Sequence, residues 1–312
     1  MTVFAVGVHA QIRWDLASAY PAANFHSENL SQFATEVEKA TNGRLKITVH
    51  ANASLFAAPE IKRAVQGGKV QAGEIILASF QSEWQVHGVD GLPFLANSYE
   101  EAAKLYQAQK PLLQRKFASQ GMALLYCVPW PPQGLYSNKL LSNANDLKGV
   151  QWRAYSPATT RIAELLGARP VTVQAADLSR ALAAGALEAT MTSSATGIDS
   201  QVHVSLRYYY DLQAWLPKNA VLVNKKAFDE LDKTSREAVF KAAADAEIRG
   251  WNNSKKVNTE SMDKLRRSGV QVLPPSTQLK ADMRKVGDTM LAEWLEKAGV
   301  EGSALITAFS AP

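Results

Sequence analysis

The sequence predicts an α/β fold of two lobes, with a hinge, a central cleft and one long helix running across both. Three observations lead there. Strand-like and helix-like segments alternate along most of the 312 residues, the pattern of α/β architecture, and that length suffices for two separate cores. A proline-rich interruption, Trp130-Pro131-Pro132-Gln133-Gly134, stands between strand-like runs, and a second crossing falls near Leu216 to Asn224. From Asp232 to Arg267 nearly every residue is a helix former, broken at Gly250-Trp251-Asn252-Asn253, and a helix that long exceeds one lobe. Two crossings make a hinge, and a cleft between hinged lobes is a natural ligand site.

The elements follow in order. Leu30, Phe33 and Val37 recur at helical spacing within Asn29 to Thr41, and Asn42-Gly43 stops the helix. Leu45, Ile47 and Val49 alternate with polar residues as in a half-buried strand. Pro59 opens a helix that Gly67-Gly68 ends. Ile75 to Ala78 is a continuous apolar run, the mark of a strand covered on both faces. Ser98-Tyr99-Glu100-Glu101 is a capping box for the helix through Gln107. Met122 to Val128 and Leu135 to Lys139 read as strands. From Val150 the order is strand, helix, strand, helix, strand, ending at Thr192, and Tyr208 to Asp211 and Ala220 to Asn224 add two more. One lobe then comprises residues 11–128 with about 216–250, and the other 129–215 with about 251–312.

Composition narrows the function. At 46% hydrophobic and 20% charged residues the chain is that of a globular protein, and no stretch approaches the roughly 18 apolar residues of a membrane span. The net charge of +5 is spread over short pairs such as Lys62-Arg63 and Arg266-Arg267 with acids nearby. That distribution describes a solvated surface and argues against a nucleic-acid partner. The single cysteine, Cys127, lies in an apolar run and cannot form an intramolecular disulfide. Within Met1 to Ala10, the run Thr2 to Val8 is small and apolar, and Val8-His9-Ala10 fits a signal-peptidase site. This segment reads as the tail of a trimmed leader, an ordinary first strand being the alternative.

Chemistry for catalysis or metal binding is not legible. The five histidines are scattered, and no H-E-x-x-H pair, nucleophile elbow, Walker loop or G-x-G-x-x-G turn occurs. One segment does carry a charge argument. In Val150 to Ala154 a strand ends beside Arg153, a short turn follows, and a helix starts near Thr159. A guanidinium, unpaired N–H groups and a helix dipole then converge on one spot, which favours a carboxylate. A structural salt bridge for Arg153 is the alternative reading.

The stretch DLKGVQWRAYSPATTRIAELLGARPV resembles the signature of TRAP transporter solute-binding proteins of the DctP-like family, in which D-L-K-G-x-x-x-R precedes a helix ending in L-G-A-x-P. GRLKITVHANASLF, PEIKRAVQGGKVQAGE, VDGLPFLANSYEEA and AVLVNKKAFDEL resemble further family segments in the same order, so the likeness runs from about Ile12 to beyond Leu265. It implies a type II-like periplasmic binding protein that catalyses nothing, needs no cofactor, and hands a small organic acid to the integral-membrane subunits of a TRAP transporter. It also implies that Arg153 grips the ligand carboxylate. Many members carry a second arginine before a T/S-N-K/R strand. Ser137-Asn138-Lys139 matches that strand, but Gln133 stands at the arginine position, and Thr192 stands where an asparagine often faces the ligand.

Aromatic residues accompany these segments: Trp84, Trp130, Tyr136, Tyr155, Tyr208 to Tyr210 and Trp215. Each is either a cleft wall or a core residue. Tyr20 and Phe25 in the first strand-to-helix loop, and Phe80 to Ser82 after the buried strand, are further candidates for the cleft. One cation, neutral hydrogen-bonders and aromatic walls suggest a monocarboxylate with an apolar, aromatic, 2-oxo or 2-hydroxy body. A dicarboxylate, a sugar acid, or a sensing role beside a membrane receptor are the alternatives. Capture is expected by closure of the hinge over the acid.

Overall fold

The computed structural model describes residues 11–311; the expected leader, Met1 to Ala10, lies outside them. Two mixed sheets organise the chain. The first has the order β2-β1-β3-β10-β4, with β1 (Ile12–Ala17), β2 (Leu45–His50), β3 (Ala72–Ile76), β4 (Met122–Pro129) and β10 (Lys218–Asn224). β1 pairs parallel with β2 and β3, and β10 inserts antiparallel between β3 and β4. The second has the order β11-β9-β5-β8-β6-β7, built from β5 (Gln133–Ser137), β6 (Gln151–Ala154), β7 (Arg169–Thr172), β8 (Ala189–Ser193), β9 (Tyr208–Tyr210) and β11 (Gln271–Leu273).

Helices α1 (Phe25–Ala40), α2 (Ala58–Gln66) and α3 (Tyr99–Ser119) belong to the first half of the chain. The short α4 (Pro157–Leu165), α5 (Leu178–Ala183), α6 (Ser194–Asp199), α7 (Val202–Ser205) and α8 (Lys225–Asp229) follow. α9 (Lys233–Arg267) and α10 (Thr277–Ser310), the latter broken at Gly299, complete the order. α1 starts a turn earlier than hydrophobic spacing predicts. The Asn24 side chain accepts from His26 N and so caps a first turn whose Phe25 and His26 are buried. Fully burying Phe33 and Val37 on its inner face stabilises by about 1.5–3 kcal/mol each.

One expectation is corrected and another is met. The apolar run at Ile75 to Ala78 is not one strand: β3 stops at Ile76, opposite Asn219 near the start of β10, and Leu77 to Phe80 turn into a 3-10 helix. The next β10 residue, Lys218, sends its backbone N–H to Asp90 Oδ2 instead, so the ladder cannot continue there. The long helix expected over Asp232 to Arg267 is present as α9, which runs unbroken through Gly250-Trp251-Asn252-Asn253. Gly250 is there for close packing, because a Cβ would lie 2.3 Å from Val128 Cγ2 and 3.0 Å from Asn29 Nδ2. α9 packs on α1 and β4 of the first sheet and on α6 and β11 of the second, so it spans both lobes.

The crossings lie side by side. Trp130 N donates to Pro217 O at 2.8 Å, Gln133 N to Trp215 O at 2.9 Å, and Ala214 N to Gln133 O at 2.9 Å. The strand into the second sheet and the return to the first therefore form one hydrogen-bonded ribbon. Residues Val86, Val89, Leu92 and Leu105, expected with the first lobe, share a core with Trp152, Ile162 and the inner face of α10. Their stretch follows the 3-10 helix that ends at Phe80 and is tied to the second crossing by Phe94 N donating to Ala214 O.

Candidate functional site

Between the sheets lie two adjoining cavities, of about 310 Å³ and about 40 Å³, that share Tyr20, Ile76, Tyr155, Gln174 and Ala175 as walls. The smaller is closed by Arg153, Gln133 and Thr192 from the second sheet and Trp130 from the first crossing. Each polar side chain arrives for a local reason. β6 is parallel to β7 and β8, and Arg153 stands near its carboxyl end, where ligands collect in α/β sheets. The Ser156 side chain accepts from Thr159 N while Thr159 Oγ1 accepts from Ser156 N, and Pro157 occupies the first helical turn. That capping box fixes α4 directly after the arginine.

Arg153 is 3% exposed. Its Nε donates to Val173 O at 3.0 Å, whereas its NH1 has no protein partner. Among the described residues no carboxylate lies within ion-pair distance of it, which removes the salt-bridge alternative. Burial pulls the guanidinium down to about 10, with the Tyr155 and Tyr20 side chains opposing the shift, so it still carries its charge at neutral pH. The guanidinium carbon sits 5.0 Å from the Tyr155 ring centroid. Of the side chains lining the two cavities, Arg153 is the one cation.

Gln133 is held rather than free: Nε2 donates to Pro131 O at 2.9 Å and Oε1 accepts from Tyr155 OH at 3.2 Å. Trp130 forms a wall whose indole N–H donates to Asn219 Oδ1 at 2.9 Å, and Tyr20 OH donates to the same oxygen at 3.3 Å. Burial pushes the Tyr20 and Tyr155 hydroxyls well above the usual phenol range, so both stay neutral donors. Phe80 lines the larger cavity.

Three expected wall residues are elsewhere. Phe25 lies against Trp130 edge-on, with centroids 5.4 Å apart, and lines neither cavity. Tyr136 is wholly buried on β5; its hydroxyl donates to Ser193 O, and its ring tilts against Tyr209 in the core on the sheet's other face. Side chains alternate across a strand, so Gln133 and Tyr136 cannot share a face. Trp215 is buried in the core around Trp152 and lines neither cavity. Trp84 is also remote: its indole N–H donates to Glu301 beyond the break in α10.

Sequence reasoning missed Glu74, Gln174, Ser79 and Thr196 on the cavity walls. Glu74 is 2% exposed on β3. Its Oε2 accepts from Ser18 Oγ at 2.9 Å, and its Oε1 lies 3.0 Å from His26 Nδ1, off the alignment a hydrogen bond requires. A carboxylate inside the apolar run Ala72-Gly73-Glu74-Ile75-Ile76 was the available signal.

A buried unpaired cation facing a small cavity between two sheets, with aromatic walls and only neutral side chains beside it, defines a two-lobed receptor for a small anion. Residues 16–298 match the DctP family, bacterial extracellular solute-binding protein, family 7, and the chain belongs to that family. Its fold is similar to that of DctP6, a Bordetella pertussis extracytoplasmic solute receptor binding pyroglutamic acid. The two are 52% identical, with a TM-score of 0.94 over 95% of this chain and 99% of the other. DctP7 of the same organism, also binding pyroglutamic acid, is 42% identical with a TM-score of 0.94 over 96% and 99%. A marine metagenome TRAP solute-binding protein specific for pyroglutamate is 38% identical, again at 0.94, over 96% and 98%. The family and these neighbours are solute-binding receptors rather than enzymes. Among the described residues no helix is long and apolar enough to cross a membrane.

Proposed function

We propose that this protein is the periplasmic receptor of a TRAP transporter for a small cyclic monocarboxylate of the pyroglutamate type, which it delivers to the membrane subunits. The observation that carries the reading is Arg153: a desolvated guanidinium with an unpartnered NH1 and no protein carboxylate. Leaving such a group unpaired is costly, and a ligand carboxylate gripped through two parallel hydrogen bonds relieves it. The rest of the wall selects among acids. With Gln133 committed to Pro131 and Tyr155, and no second cation on the cavities, a second carboxylate has no partner. Trp130, Tyr20 and Tyr155 instead offer flat apolar surface with hydroxyl and indole edges, suited to a small ring. The resemblance to three pyroglutamate receptors supports the same class.

Binding would bring the lobe of the first sheet, carrying Tyr20 and Phe80, over the acid docked on Arg153. The paired crossings at Trp130 to Gln133 and Ala214 to Pro217 would act as the hinge. Closure excludes water, which strengthens the ion pair and presents a changed surface to the membrane partner.

The test is calorimetric titration of the unfolded, washed and refolded protein with pyroglutamate, 2-oxo and 2-hydroxy monocarboxylates, a dicarboxylate and a sugar acid. Pyroglutamate is expected to bind at micromolar concentration or below, and at least about tenfold (~1.4 kcal/mol) more tightly than any of the others. Tighter binding of the dicarboxylate or the sugar acid would refute the single-carboxylate reading.

A further inference from the structure

We infer that Glu74 is a specificity-determining residue which accepts a hydrogen bond from a ring N–H of the ligand and so separates lactams from their oxygen-ring counterparts. The inference rests on the pyroglutamate-type reading and adds to it what the site recognises beyond the carboxylate. The two charges of the cleft come from opposite sheets: Arg153 from β6 and Glu74 from β3, each more than nine-tenths buried. Tyr20, a wall of both cavities, lies in the fields of both. The carboxylate pushes its phenol up and the guanidinium pulls it down. The larger cavity thus has an anionic end that continues into the cationic end of the smaller.

Glu74 has acceptor capacity to spare. An ionised carboxylate offers about four acceptor sites. Ser18 Oγ takes one, and the misaligned His26 Nδ1 takes none cleanly. Among the described residues no lysine or arginine pairs with it. His26 is wedged among Tyr20, Phe25 and Trp130, with ring centroids 5.9, 4.2 and 4.4 Å away. The same ring lies 3.0 Å from Glu74 Oε1. An acceptor-only group of this kind attracts a donor and repels an oxygen, and a site built around a buried acceptor rejects an isostere lacking the donor. A lactam carboxylic acid presents an N–H on the atom next to the carbon bearing its carboxylate. Such a molecule carries, side by side, the anion that Arg153 lacks and the donor that Glu74 can accept.

The discriminating ligand pair is pyroglutamate and its γ-lactone isostere, in which a ring oxygen replaces the N–H. Titration of the wild-type protein should show the lactone binding at least about 100-fold more weakly. In Glu74→Gln the charge is lost and the amide can turn either a donor or an acceptor inward, so the ratio should shrink below about tenfold. Equal binding of both by the wild type overturns the inference and leaves the pyroglutamate reading intact. Binding of neither overturns both. A Glu74→Gln protein that melts normally and keeps the full ratio shows that another group makes the distinction. Should that variant not fold, proton spectra of the wild-type complex decide. A downfield lactam proton with a nuclear Overhauser contact to the Glu74 side chain is expected, and a solvent-like lactam proton refutes the contact.

Discussion

Among the buried cations of the described residues, Lys218 and Arg153 are treated in opposite ways. Lys218, at the start of β10 where the chain returns to the first sheet, is 0% exposed; its Nζ lies 3.0 Å from Asp90 Oδ2, and its backbone N donates to the same oxygen at 2.8 Å. Burial pushes the Asp90 carboxyl upward and the Lys218 charge pulls it back. Arg153, on the opposite side of the cleft, has a backbone carbonyl and a tyrosine face but no anion. A fold stabilises a buried charge internally where that charge serves the architecture, and omits the counter-ion where a ligand is to bring it. The pair at Lys218 locks the Asp90 segment to the returning crossing; the unpaired group faces the cavity.

The comparison can be broken at several points. Asp90→Ala strands the Lys218 ammonium and should lower folding stability by about 3–5 kcal/mol in urea unfolding, with Lys218→Met restoring part of the loss. Arg153→Ala should weaken pyroglutamate binding by about 2–5 kcal/mol in calorimetry. Its ligand-free melting temperature should hold or rise, because a desolvated charge without a counter-ion is removed. A ligand-free loss as large as that of Asp90→Ala would abolish the distinction between the two cations.

His87, another buried ionisable group, carries no charge at neutral pH. His87 is wholly buried, with Nδ1 3.2 Å from Phe80 O and its ring stacked on Phe117. Burial pulls it down to about 4, the Phe80 carbonyl opposing. The unfolded chain therefore takes up a proton near pH 6.5 that the native state refuses until about pH 4. Stability should fall with acidification across that window, by up to about 3 kcal/mol, and His87→Phe should flatten the profile measured by urea unfolding at stepped pH. The smallest effect belongs to an exposed charge. Arg180 pairs with Asp177 at 83% and 54% exposure, and Arg180→Ala should change the folding free energy by no more than about 0.5 kcal/mol.

Local chemistry made much of this legible in advance. The alternation of elements, the two crossings, the long helix and Arg153 all follow from patterns within a few residues of one another, as do the Pro157 entry to α4 and the family likeness built on that stretch. Gln133 at the cavity was also readable, although its side chain turned out to be engaged by Pro131 and Tyr155. The aromatics divided in a way the sequence could not decide. Trp130, Tyr155, Tyr20 and Phe80 line the cavities, whereas Tyr136, Phe25 and Trp215 pack behind or away from them. Which face of a strand is core depends on what the other sheet brings against it.

What the sequence determined by itself, then, is the set of elements, their order, and the charged turn at the end of β6, because capping, periodicity and proline act over short spans. The tertiary structure alone decided why residue 250 is glycine, because Val128 and Asn29 leave no room for a Cβ there. It also placed the Val86 to Leu105 stretch in the second sheet's core, and set the carboxylate of Glu74 in a cavity wall it shares with Tyr20 and Tyr155. Those outcomes depend on groups far apart in the chain meeting across an interface, and no local rule specifies such a meeting.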